Sequence, residues 1–156
     1  MPTLKFFVPS PAMTKAGKRA GFPGTNEMID AANTSRYALN DIKREVGVTV
    51  EQYARVAARQ ARWQTPEGQC HVTLKFIEPN HRRDPDNIYG AAKLIMDGLT
   101  GKRGSKRFGA GVIRDDSQRY VDLECRLMKG VVSNNPGVII CVEFPNEDSE
   151  GGEDGC

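Results

Sequence analysis

Residues Gln69 to Glu78 alternate in polarity: Cys70, Val72, Leu74 and Phe76 point one way, His71, Thr73 and Lys75 the other. A period of two over this length predicts a half-buried strand, ended by Pro79 and Asn80. Behind it the apolar period becomes helical, with Ile88, Ala91, Ala92, Ile95 and Leu99 sharing one face of a helix expected over 87–99. Asp86 reads as its N-cap. The short segment between strand and helix, His81-Arg82-Arg83-Asp84-Pro85-Asp86-Asn87, is therefore carried between two rigid elements, a good platform for a site.

The remaining chain supplies the rest of a sheet. Thr3 to Val8 predicts a first strand, stopped by Pro9 and Pro11. Residues 9–34, with Gly17, Gly21, Gly24 and the bases Lys15, Lys18 and Arg19, read as a long loop, a mobile basic arm. A short helix is expected over Ser35 to Val46, ended near Gly47, and a second one from a Thr49 cap to about Gln64. Arg55, Arg59 and Arg62 fall on one face of that second helix, either a solvated stripe or a phosphate-facing one. Gly98 to Gly111 is a glycine-rich loop bearing Lys102, Arg103, Lys106 and Arg107. Strands are expected over Arg119–Met128 and Val138–Phe144, the latter apolar enough to be central, with a turn at Asn134-Asn135-Pro136-Gly137 between them. The order β, loop, α, β, α, β, β predicts an α/β (α+β) fold with a single mixed β-sheet of about four strands and two main helices.

At 156 residues with 38% hydrophobic content the chain is expected to form one domain, over 1–144, followed by an acidic disordered tail, 145–156. That tail holds five acids and no base, so the net charge of +2 leaves the rest of the chain at +7, the balance expected of a nucleic-acid binder. No apolar run reaches the roughly 20 residues that cross a bilayer, and the N-terminus lacks a secretory pattern, so a cytoplasmic protein is expected. The four cysteines form no CxxC pair, and Cys70, Cys125 and Cys141 read as buried thiols.

Four carboxylates bracket the 87–99 helix: Asp84 and Asp86 before it, Asp115 and Asp116 beyond it, with Arg82, Arg83 and Arg114 beside them. Acids set in basic sequence make sense if the acids hold a cation and the bases a polyanion. Carboxylates are hard oxygen ligands that suit Mg²⁺, with Mn²⁺ as an alternative. Such an ion can activate water and stabilise the leaving oxygen of a phosphodiester. Lys93 is placed to meet developing phosphate charge, and Arg82, Arg83, Arg114 and the 102–107 bases to neutralise neighbouring phosphates. An EF-hand is excluded: counting Asp84 as the first position, the sixth is Tyr89 rather than Gly and the twelfth is Ile95 rather than Glu. The plainer readings are a helix cap at Asp86 and a turn at Asp115-Asp116.

Arg82-Arg83-Asp84-Pro85-Asp86-Asn87, then Lys93-Leu94-Ile95-Met96-Asp97-Gly98-Leu99-Thr100, then Asp115-Asp116-Ser117-Gln118, together resemble the RusA-type crossover-junction endodeoxyribonucleases, the Holliday-junction resolvases of phages and bacteria. The resemblance implies a homodimer that binds branched DNA, with Asp84, Asp86 and Asp116 as metal-binding catalytic residues, Asp115 beside them, and Lys93 as the family's catalytic lysine. The chain departs from the pattern in one respect. The family's lysine stands four residues after the second aspartate, where this chain has Gly90, and Lys93 stands seven after Asp86, roughly 10 Å along a helix axis. The expected function is Mg²⁺-dependent resolution of four-way junctions in DNA recombination and repair. The alternatives are a non-catalytic branched-DNA-binding protein on the same scaffold and an interaction module working through the acidic tail.

Overall fold

A computed structural model describes residues 2–100, 102–103, 106–107 and 109–144. The expected acidic tail lies outside the described residues. The elements, in chain order, are β1 (Thr3–Pro9), α1 (Thr25–Thr34), α2 (Arg36–Ala61), β2 (Cys70–Glu78), α3 (Pro85–Tyr89), α4 (Ala92–Leu99), β3 (Lys102–Arg103), β4 (Lys106–Arg107), β5 (Val121–Val132) and β6 (Gly137–Glu143).

The fold is α+β. Four strands form one mixed sheet in the order β1-β6-β2-β5, and β3 and β4 pair as a separate two-stranded ribbon. β6 lies antiparallel to both β1 and β2, while β5 runs parallel to β2 at the edge. The period-two pattern sorts the faces as expected. Val72, Leu74 and Phe76 on β2 line up with Val142, Ile140 and Val138 on β6 and are fully buried. On the opposite face His71 stands beside Asp122 and Glu124 of β5. Because β5 and β6 are not neighbours, the Ser133–Pro136 turn steps over the end of β2, where Ser133 N donates to Glu78 O and Ser10 N donates to Pro136 O. The ends of β1, β2 and β5 and the start of β6 thus meet at one rim of the sheet.

The helices differ from expectation in three ways. First, Thr25–Thr34, expected as loop, is helix α1. It buries no residue completely and is held by polar contacts, so it leaves little hydrophobic signal. Second, the two helices expected on either side of Gly47 are one 26-residue helix, Ser35 capping it by accepting from Ala38 N. Gly47 sits where α2 and α4 cross closely: a Cβ on Gly98 would lie 2.7 Å from Val50 Cβ and 3.2 Å from Gly47 O. A helical glycine costs only about 1 kcal/mol, and this packing offsets it. Third, the helix expected over 87–99 is two short helices joined at Gly90-Ala91, and its N-cap position is Asp84 rather than Asp86. Pro85 explains the shift. Proline favours the first helical position and forces the residue before it to be extended, and Asp84 has φ −73° and ψ 147°.

The residue 10–24 segment is ordered. Met13 and Arg19 form a β-bridge, Thr14 N donates to Lys18 O, Ala20 N donates to Ala12 O, and the Arg19 guanidinium donates to Ser10 O. The basic arm is thus a small hairpin tied to the end of β1. β5 begins and ends later than expected. Cys70 and Cys125 are free thiols, whereas Cys141, expected as one too, is disulfide-bonded. Among the described residues no helix is long and apolar enough to cross a membrane.

Candidate functional site

The acidic loop is fixed from both sides by buried polar contacts. Arg83 bonds Glu78 through two nitrogens, Nε to Oε1 at 2.7 Å and Nη2 to Oε2 at 2.9 Å, and a third nitrogen meets Glu27 of α1. The Glu78 side chain is only 6% exposed. Asn87 Nδ2 donates to Glu27 Oε2 at 3.0 Å, and its Oδ1 accepts from Asn26 N at 2.8 Å. Burial pushes the Glu27 carboxyl up, but the Asn87 hydrogen bond and the Arg83 charge outweigh it and hold the group below the usual carboxylate range. Burial likewise works against the Arg83 charge, and its bonds to Glu78 and Glu27 raise it overall. Arg83, expected to face phosphate, therefore spends its donors inside the protein. Asn87 and Glu27 anchor α1 and were invisible to periodicity, since neither sits on an apolar stripe.

Between these anchors Asp84 and Asp86 are exposed, and neither carboxylate has a partner among the described residues. Both lie at the start of α3, Asp84 at the cap position without a side-chain cap bond and Asp86 in the first turn.

The far end of the site is delivered by the stretch after residue 108. Ala110 N donates to Gly98 O, Val112 N and Ile113 N to Leu99 O, and Trp63 Nε1 to Val112 O. Val112 and Ile113 are buried, so the chain turns back along α4. That return sets Asp116 against Lys93, Nζ to Oδ2 at 2.6 Å, with Asp97 Oδ1 at 3.1 Å from the same Nζ. The Asp116 hydrogen bond, followed by that to Asp97, raises the Lys93 pKa, and the Lys93 bond lowers that of Asp116, so both are charged at neutral pH. Asp115 is exposed and accepts from Asp116 N. Arg114 and Arg119 both stack on Tyr120, at 5.8 and 5.5 Å.

Gly90, which stands where the resembled family has its lysine, is packed against the start of α1. A Cβ there would run into Thr25 Oγ1 and lie 2.6 Å from Thr25 N. Docking of α1 therefore excludes a side chain at 90, and Lys93 is the lysine that meets Asp116.

Asp84 and Asp86 fit a hard divalent cation that keeps most of its water, because they are unpaired oxygen donors near one another in sequence. The third carboxylate, Asp116, is bonded to Lys93, and among the described residues no group of three or more His, Cys, Asp or Glu side chains is gathered for a metal ion. Arg82 is exposed beside the acid pair. Of the 102–107 bases the structure describes only the backbone, in which Lys102 pairs with Arg107 and Arg103 with Lys106. Of the arginine stripe, Arg55 is bonded to Glu51 at 2.7 Å and to Gly109 O at 3.1 Å, while Arg59 and Arg62 are exposed, Arg62 capping α2 through its left-handed backbone. The chain matches no protein-family model and no curated protein.

Proposed function

We propose that this protein is a Mg²⁺-dependent endonuclease of RusA type that cuts branched DNA, four-way junctions above all, as a homodimer. The observation that supports it most is the meeting of Asp116 with Lys93, at 2.6 Å, on the helical segment that Asp84 and Asp86 open. Three pieces of the resembled sequence pattern are thereby linked by two consecutive short helices, α3 and α4, and one ion pair. Asp84 and Asp86 would hold the ion. When bound, the ion supplies an activated water and neutralises phosphate charge. Lys93 keeps a fixed positive charge beside the acids, and Arg82 offers another for the flanking phosphate.

The reading is tested by incubating the protein with an immobile four-way junction and with linear duplex of the same sequence, in Mg²⁺ and in EDTA. Metal-dependent, symmetric nicks in the junction alone are expected, and Asp86→Asn should abolish them. Normal cleavage by Asp86→Asn sinks the proposal. The second reading, a branched-DNA-binding protein that does not cut, is favoured by Gly90, packed on Thr25 where the resembled family has its lysine. Tight junction binding without cleavage in Mg²⁺ or Mn²⁺ would decide for it.

A further inference from the structure

At the sheet rim described above lies a polar cleft of about 660 Å³, bounded by the 12–20 hairpin and the turns after β2 and β5. Thr14, Lys18, Arg19, Asn80, Arg82 and Asn134 line it, three cations and no carboxylate. Lys18 and Arg82 are exposed and have no ion-pair partner among the described residues. The cleft is built rather than accidental: the Met13–Arg19 bridge sets the hairpin, the Arg19 bond to Ser10 O ties it down, and Asn80 Oδ1 accepts from Arg82 N. Thr14, Pro79, Asn80 and Arg82 also border a second cavity of about 500 Å³, whose other walls join an apolar stretch, Pro11, Ala12, Met13 and Ile42, to the carboxylates Glu27, Glu45 and Glu78.

We propose that this cleft grips the sugar–phosphate backbone of a DNA strand on its way to Asp84 and Asp86, with the apolar stretch of the adjoining cavity, Pro11, Ala12 and Met13, taking the base side. The inference rests on the endonuclease reading and adds a strand path to it. An acid-free cluster of cations with unspent charge is a phosphate site by electrostatics. The apolar stretch beside it, Pro11, Ala12 and Met13, suits a ligand that repeats phosphate and flat apolar groups, as a nucleic-acid strand does and inorganic phosphate does not, and the glutamates beyond it keep the phosphates on the cation side. Arg82 lines the cleft and stands two residues before Asp84, so a strand seated there is led toward the acid pair.

The test is fluorescence anisotropy of a labelled immobile four-way junction in EDTA, titrated with protein at a series of NaCl concentrations. Lys18→Ala is expected to weaken binding several-fold and to reduce the salt slope by about 0.9, one phosphate contact. Lys5→Ala, an exposed lysine of β1 that lines neither cavity, should leave the slope unchanged. Melting temperatures equal to wild type would exclude a folding defect. A Lys18→Ala slope equal to that of wild type overturns the strand path while leaving cleavage, measured separately with Mg²⁺, to stand. Wild-type protein that does not bind the junction overturns both. Displacement of the junction by inorganic phosphate at matched ionic strength also overturns the strand path, since the cleft would then take a free anion.

Discussion

Arg83→Met separates a structural arginine from a DNA-binding one. The methionine keeps much of the aliphatic volume and deletes three donors, leaving Glu78, with a side chain 6% exposed, and Glu27 without their cation. Removing one partner of a buried ion pair costs about 3–5 kcal/mol. The Arg83 side chain is itself 20% exposed and Glu27 is 37% exposed, so the lower end applies, about 3 kcal/mol. With a urea m-value of about 2 kcal/mol/M, the midpoint should fall by about 1.5 M. Equilibrium urea unfolding followed by circular dichroism reads this directly. Glu78→Gln in the Arg83→Met background should recover part of the loss, because it removes the orphaned charge, so the two changes will not add. An Arg83→Met protein within about 0.5 kcal/mol of wild type, with junction affinity much reduced, refutes the reasoning and returns Arg83 to the DNA surface.

Other consequences can be measured with the same material. Gly90→Lys, which restores the resembled family's lysine position, should destabilise by about 1–3 kcal/mol by pushing Thr25 and the start of α1 away from α3, seen as a lower melting temperature without gain of cleavage. Lys93→Ala should lower the cleavage rate about 10²-fold or more with junction binding in EDTA little changed, read by single-turnover kinetics. His71 is disfavoured as a cation by burial, but hydrogen bonds to Asp122 and Glu124 outweigh this and raise its pKa. Its contribution to stability is therefore full below the unfolded value of about 6.5 and is lost as pH rises through the folded one, so His71→Gln should cost stability at pH 5 and not at pH 9. Burial pushes the Cys70 thiol up to about 11, so it should resist alkylation in native protein at pH 8 and react once unfolded.

The sheet was legible because β2 and β6 must bury one or both faces, and strands that do so carry a repeat of two or an unbroken apolar run. The helices were less so. α1 escaped because its docking is written in Glu27, Asn26 and Asn87, polar residues whose partners are 60 or so positions away in sequence. Gly47 was expected to stop α2 because its local cost is visible and the close approach of α4 is not. At the site, Asp84 and Asp86 could be placed between strand and helix, yet which of them starts the helix was decided by Pro85. The meeting of Lys93 with Asp116 depends on Ala110, Val112 and Ile113 bonding to the end of α4, a tertiary detail. The internal bonds of Arg83 were hidden for the same reason: nothing in a run of two arginines tells which one turns inward.

That inward turn divides labour along seven consecutive residues. Arg83 and Asn87 hold the backbone, and the side chains of Asp84 and Asp86 between them make no hydrogen bond or ion pair among the described residues. Chemistry and scaffold are thus written in different letters of the same short word. The two aspartates can be exchanged for asparagine, glutamate or histidine as a small library on a constant frame, and a change in ion preference at the proposed site would be attributed to the donors alone.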